Sequence, residues 1–300
     1  MSILVVGSIA IDSVRTPAGE ARDVVGGSAI YFSMAASFFT RVILLGTVGD
    51  DFPRDYLEML RRRNVDVSGV TTARGKTFRW SGDYTEDINR AKTTSVAENV
   101  MKDYSPRLHP PAHESPYVFL ANIEPGIQCT VLDTKETPGE FVVCDTMNLW
   151  IENRRDALRE VMQKAHLIMI NDGEARLLTG KENLLDAAEE LRSRGPASVV
   201  IKKGEHGAIL ATADNLFMIP AYPAPTVVDP TGAGDSFGGA FMGYIASRED
   251  TSEKTMRKAV VYGSVVASFA IESFSTRRLE ELAREDIEKR VREMRGLVRF

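Results

Sequence analysis

The run Val227-Val228-Asp229-Pro230-Thr231-Gly232-Ala233-Gly234-Asp235-Ser236-Phe237 decides how this chain is read. Behind it Phe237, Phe241 and Tyr244 or Ile245 recur at three- and four-residue spacing, the pattern of a helix with one apolar face. Glycines let the backbone turn tightly and approach a ligand without a Cβ in the way. The unpaired N–H groups of a helix's first turn, set beside such a loop, make an anion site. Asp235 then needs a reason, since it places like charge beside a bound anion. It has one if it accepts a proton from a hydroxyl that attacks a phosphate. The simpler reading is that Asp229 or Asp235 only caps the helix. Spacing alone does not choose between the two.

The same letters hold a rival. Gly234-Asp235-Ser236-Phe237-Gly238 fits G-x-S-x-G, the nucleophile elbow of serine hydrolases. Such enzymes place their acid and then their histidine after the serine, whereas His109, His113, His166 and His206 all precede Ser236. Two other motifs are set aside. Gly75-Lys76-Thr77 resembles the end of a phosphate-binding Walker loop, but Gly69 lies one residue too far upstream and no helix pattern follows. His109 and His113 have i, i+4 spacing, but Pro110 and Pro111 are expected to prevent the helix that would put both on one face.

Working outward, the chain alternates short apolar runs with helical patterns. Strands are expected at residues 3–6, 42–45, 117–120, 141–144, 167–170, 198–201 and 208–210. Helices are expected at 28–39, 55–63, 154–164, 174–178, 185–193, 235–246 and 253–271, with one more through the charged tail from 277 to 295. This order predicts an α/β fold with a mostly parallel sheet covered on both faces. Residues 77–96 differ, being polar with aromatics and threonines, and read as a short antiparallel excursion. Residues 105–116 carry four prolines and read as a surface connection. No internal repeat or linker is evident, so one main domain spanning residues 1–300 with a small polar flap is expected.

Composition narrows the function. With 43% hydrophobic and 26% charged residues over 300 positions, the chain can bury a large core. A formal net charge of −5 disfavours a general nucleic-acid binder. The longest mostly apolar stretches, 29–39 and 260–271, are too short to span a bilayer, which takes about 20 apolar residues. The opening MSILVVGSIAID has no basic segment and reads as a first buried strand, so a cytoplasmic protein is expected. Cys129 and Cys144 supply neither a disulfide framework nor a metal motif.

Several weaker signals fall after successive strands, where open α/β sheets bind ligands. Asp12 is placed to hold hydroxyl groups, or is an exposed loop acid. Gly26-Gly27 marks close approach of a substrate, or only tight packing. Asn171-Asp172-Gly173-Glu174 could order water around Mg²⁺, or Asn171 could be a helix cap. Lys202-Lys203-Gly204-Glu205-His206-Gly207 is a charged hairpin turn, or presents a lysine to phosphate.

Taken in order, VVGSIAID (5–12), GGSAIYFSMAASF (26–38), LLGTVGDDF (44–52), LIMINDGEA (167–175), VVIKKGEHGA (199–208) and VVDPTGAGDSFGGAFMGY (227–244) resemble the ribokinase-like (PfkB-type) carbohydrate kinases. The last segment matches their most specific signature, D-T-x-G-A-G-D, with Asp229 and residues 231–235 keeping its spacing. The resemblance implies a three-layer α/β/α fold with a small β lid, here residues 13–25 and 77–96. It implies phosphoryl transfer, usually from ATP with Mg²⁺, to a hydroxymethyl group of a sugar, nucleoside or similar alcohol. Asp235 would be the catalytic base, and the amides of Gly232, Ala233 and Gly234 the anion hole. Asn171 and Glu174 match N-x-x-E, linked to Mg²⁺ through water. Lys203, Gly204 and Gly207 match a nucleotide-side turn, with Thr231 beside the same nucleotide. Asp12, Gly26, Gly27 and Asp229 match the substrate side, where Tyr31 also falls.

One position departs from the pattern. Where ribokinase-type members carry a sugar-binding asparagine four residues after the double glycine, this chain has Tyr31. An aromatic ring cannot reproduce an amide's paired donor and acceptor. Ribose therefore loses ground to a base-bearing or less polar alcohol, and Phe78, Trp80 and Tyr84 are candidates to stack on a base, to pack the lid or to meet a second copy in a homodimer. Two further classes stay in view: a nucleotide-responsive regulator that binds ATP without turnover, and, much weaker, a NAD-dependent enzyme, which lacks G-x-G-x-x-G after the first strand.

Overall fold

The computed structural model describes residues 1–299. The chain opens with β1 (Ser2–Val6) and leaves for a second sheet as β2 (Ala10–Thr16) and β3 (Gly19–Gly26). It returns through α1 (Ser28–Ala36) to β4 (Arg41–Val48), α2 (Arg54–Arg62) and β5 (Val65–Thr72), then completes the second sheet with β6 (Phe78–Asp83) and β7 (Lys92–Ala97). Next come α3 (Pro110–Glu114), β8 (Tyr117–Leu120), α4 (Pro125–Thr134), β9 (Phe141–Asp145), α5 (Asn148–Asn153), α6 (Arg155–Lys164) and β10 (Leu167–Asn171). The remainder is α7 (Asp172–Thr179), α8 (Leu184–Ser193), β11 (Ser198–Lys202), β12 (Ala208–Ala211), β13 (Leu216–Ile219), α9 (Ala233–Arg248), α10 (Glu253–Ala270), α11 (Arg277–Glu281) and α12 (Arg284–Leu297).

The large sheet runs β13-β12-β11-β10-β9-β8-β1-β4-β5. From β11 to β5 every pairing is parallel, while β12 and β13 add an antiparallel edge. Parallel strands are buried on both faces, so they read as continuous aliphatic runs. In β1, Ile3 and Val5 enter one core while Leu4 and Val6 enter the other. The first core is closed by α1, α2, α9, α10 and α12, and the second by α4, α6, α7 and α8. This is the expected three-layer α/β/α architecture. Each such aliphatic side chain contributes about 1.5–3 kcal/mol by leaving water.

The second sheet, β3-β2-β6-β7, is mixed, with β2 and β6 parallel and its two hairpins antiparallel. It is built from the two segments expected to form a flap. Among the described residues no helix is long and apolar enough to cross a membrane.

Two expectations need correction. Pro110 and Pro111 do not prevent a helix; they start α3 with His109 as its N-cap, because proline in a first turn lacks only an N–H that would be unpaired anyway. His109 and His113 still do not converge, since His109 meets the Ser68 hydroxyl and His113 accepts the Glu136 N–H. The charged tail is not one helix either. It breaks between α11 and α12, where Leu282 turns into the core.

Candidate active site

Helix α9 begins where the carboxyl ends of the parallel strands gather. It is held there by close backbone contact: a Cβ on Gly239 would lie 2.3 Å from the Phe32 carbonyl of α1, and one on Gly238 2.7 Å from the Phe119 ring of β8. Gly232 is its N-cap, with φ +75°. A side chain there would meet the Tyr31 ring at 2.2–2.4 Å. Tyr31 is therefore not set out to meet a ligand by its ring face. It is 2% exposed and forms the floor beneath the glycine loop.

Asp229 braces the same loop. One carboxylate oxygen accepts the Thr231 N–H at 2.9 Å and the other the Ser275 N–H at 3.4 Å, and the residue is 1% exposed. Thr231 turns toward the second sheet, where its hydroxyl bonds the Tyr84 hydroxyl at 3.3 Å. Of the three amides expected to bind an anion, that of Ala233 is already spent on the Pro230 carbonyl at 3.2 Å. That bond closes the proline turn, and it leaves Gly232 and Gly234 without a hydrogen-bond partner among the described residues. The cradle therefore has two open amides, not three.

Asp235 lies in the first turn of α9 and is partly buried. Burial and the Asp145 carboxylate push it up to about 7, against the pull of Lys202. Lys202 and Asp145 end β11 and β9 and form a buried ion pair at 3.0 Å. Burial pulls the Lys202 ammonium down, but Asp145, Glu174 and Asp235 together hold it above its usual range. Asp145 is pinned in turn by the Thr146 N–H at 2.8 Å, and Gln128 ties its carbonyl to those of Leu120 and Ala121. Asp145 carries no signal in the sequence reading; of the two lysines that could face phosphate, the resemblance points to Lys203, which starts the turn that follows, whereas it is Lys202 that pairs with Asp145.

Asn171 and Glu174 form a capping box on α7, each side chain accepting the other's N–H at 2.8 Å. Burial, with Asp145 nearby, raises the Glu174 carboxyl. Among the described residues no group of three or more His, Cys, Asp or Glu converges to hold a metal ion. The donors present suit a cation carried mainly by phosphate oxygens and water, for which Glu174 and Asn171 would be outer partners.

On the other side of the loop, Asp12 in β2 is buried against the glycine pair. A Cβ on Gly26 would lie 1.9 Å from its carboxylate, and one on Gly27, at φ +97°, 2.4 Å from the Ser8 carbonyl. Burial raises Asp12 to about 8; the Gly27 N–H opposes this, and Asp229 and Asp235 add to it. The turn through Lys203, Gly204 and Gly207 closes on itself, with the Lys203 N–H on the Gly207 carbonyl at 2.7 Å. The β6–β7 hairpin tip reaches this edge: Asn89 bonds Glu205 at 3.4 Å, and a Cβ on Gly173 would meet Arg90 at 3.1 Å. Trp80 lies over Gly82 within its own sheet, with its indole N–H on Thr93.

The decoys resolve simply. Ser236 is fully buried inside α9, with its hydroxyl unpartnered, so it is no exposed nucleophile. Thr77 is sealed in a turn by Asp51 and Gly49, and a strand, not a helix, follows it.

A profile of pfkB family carbohydrate kinases matches residues 2–282. The chain belongs to the pfkB family. It is therefore a phosphotransferase with an alcohol acceptor, of the sugar and nucleoside kinase kind. A cytidine kinase of Thermococcus kodakarensis is 32% identical over 257 residues, covering 83% of this chain and 90% of that one. Two solved structures share the fold. The Burkholderia thailandensis nucleoside kinase in complex with inosine has a TM-score of 0.76 at 21% identity, covering 98% of this chain and 99% of that chain. A putative ribokinase II from E. coli in complex with ATP and Mg²⁺ has a TM-score of 0.79 at 19% identity, covering 97% and 99%.

Proposed function

We propose that this pfkB-family kinase transfers the γ-phosphoryl group of ATP to the hydroxymethyl group of a nucleoside, with Asp235 as general base. The observation that carries the chemistry is the placement of Asp235 in the same helical turn as the two open amides of Gly232 and Gly234. The acceptor O–H lies against Asp235, which takes its proton as the oxygen attacks the γ-phosphorus. The new O–P bond forms while the bond to the β-phosphate oxygen breaks, and ADP leaves with that electron pair. The open amides and the positive end of α9 receive the charge on the transferring group. Mg²⁺ riding on the phosphates would neutralise part of that charge, held outwardly by Glu174 and Asn171 through water. Asp12 behind Gly26 and Gly27 holds acceptor hydroxyls. Lys203, Gly204 and Gly207 flank the nucleotide. The second sheet, tied to the loop by Tyr84 and to the far edge by Asn89, acts as a lid that keeps water from taking the phosphoryl group.

Two observations favour a nucleoside over ribose. The position of the sugar-binding amide holds Tyr31, whose ring is committed to Gly232, and the T. kodakarensis relative is named a cytidine kinase. A coupled ADP-release screen with Mg²⁺·ATP over cytidine, adenosine, inosine, ribose and simple polyols tests this. Turnover with a nucleoside and little with ribose is the expected result. Preference for ribose overturns the acceptor, and ATP binding with no ADP release for any alcohol overturns the kinase reading in favour of a regulator.

A further inference from the structure

Lys202 closes β11 with its side chain 15% exposed and its ammonium 3.0 Å from Asp145. An ammonium has three N–H donors, and Asp145 is its only hydrogen-bond partner among the described residues. Two donors are unspent in a largely buried place, where an unmade hydrogen bond costs free energy. The same ammonium borders the anion loop: a methyl group added to Gly234 would lie 3.1 Å from Nζ. Charge makes its position more telling. Asp145, Glu174 and Asp235 all act on Lys202, the one base offsetting these acids beside the glycine loop. With acids this close, two neutral amides alone would hold an anion weakly. A buried ion pair is also weak evidence of a purely stabilising role, since apolar residues of similar size commonly serve stability as well.

We infer that Lys202, held in place by Asp145, is the side chain that grips the γ-phosphoryl group, its two free donors reaching the oxygens that the Gly232 and Gly234 amides leave uncovered. This deepens the proposed phosphoryl transfer and rests on it. Bond making and breaking are as written above; Lys202 exchanges no proton and forms no covalent bond. It supplies positive charge beside Gly234, and its hydrogen bond to Asp145 holds the ammonium in place.

The test removes both charges together, because Lys202→Met alone strands the Asp145 carboxylate and endangers folding. Asp145→Asn/Lys202→Met is compared with the wild-type protein by melting temperature, by turnover, and by calorimetric affinity for ADP and for β,γ-imido-ATP. The expected variant is folded and binds ADP within about threefold of wild type. Its preference for the imido analogue over ADP falls by about tenfold or more, and its turnover by about a hundredfold or more, as for a lost charge-stabilising donor. Turnover within about threefold of wild type would show that Lys202 only neutralises Asp145, and would overturn the inference. So would equal loss of ADP and analogue affinity, which places Lys202 away from the γ-phosphate. Failure of the underlying reading looks different: the wild-type protein itself would release no ADP with any alcohol.

Discussion

Replacing Gly232 by alanine changes no charge and removes no hydrogen-bonding group, so its effect is purely geometric. The added Cβ would sit 2.2 Å from Tyr31 Cγ and 2.3–2.4 Å from the two Cδ atoms. No carbon approaches another that closely, and Tyr31 is packed in the core with no room to retreat. The left-handed backbone at φ +75° adds about 1–2 kcal/mol for any residue with a Cβ. The loop must therefore lift, carrying the Gly232 and Gly234 amides off their aim. Loss of one such donor costs about 3–4 kcal/mol, so turnover of Gly232→Ala should fall by about 10²–10³-fold. The contact with Tyr31 gives the reasoning its check. In Tyr31→Ala/Gly232→Ala the clash is gone and only the backbone strain stays. The double variant should lose less than the two single losses multiplied, a favourable coupling of at least about 1 kcal/mol in a double-mutant cycle read by steady-state ADP release and by melting temperature. Turnover of Gly232→Ala within about threefold of wild type, or strictly additive losses, would refute the argument.

Two further expectations concern protonation. Asp235 must be ionised to accept a proton, and its carboxyl titrates near 7 in the folded protein. The kcat/KM profile should therefore rise with pH to a plateau above about 7, and Asp145→Asn, by removing a negative neighbour, should move that limb to lower pH; a flat profile, or a shift upward, counts against the assignment. Asp12, raised to about 8 when folded, gives up its proton far more readily when unfolded, so the stability it supports below about 4 is progressively lost as pH climbs toward 8, at most about 1.4 kcal/mol per unit. Asp12→Asn should match wild-type melting near pH 4 and exceed it increasingly toward pH 8 while losing acceptor turnover, and a gap that stays constant with pH would contradict this origin.

The parallel strands were legible because burial on both faces leaves an unbroken aliphatic run, and Tyr117–Leu120 stands where its apolar letters put it. β5 escaped notice because Val65-Asp66-Val67-Ser68-Gly69 mixes polar residues and a glycine at an edge. α4 escaped because it opens on Pro125, with Glu124 as an unusual cap. At the site, the glycine loop and Asp235 are local in sequence and could be read. The partners of that loop could not. Tyr31 beneath Gly232, Pro230 capturing the Ala233 amide and Lys202 on Asp145 are juxtapositions made by the sheet, not by spacing. One signal was available: Phe141–Asp145 and Ser198–Lys202 are both apolar strands that end on a charge, of opposite sign, at the carboxyl edge.

The proton-accepting role of Asp235 is tested most directly by Asp235→Asn, which keeps the side chain's shape and removes its basicity. Measured under saturating Mg²⁺·ATP with the nucleoside found by the screen, turnover should fall by at least about a hundredfold, while calorimetry shows nucleotide still bound. Turnover close to wild type in that variant would contradict the account.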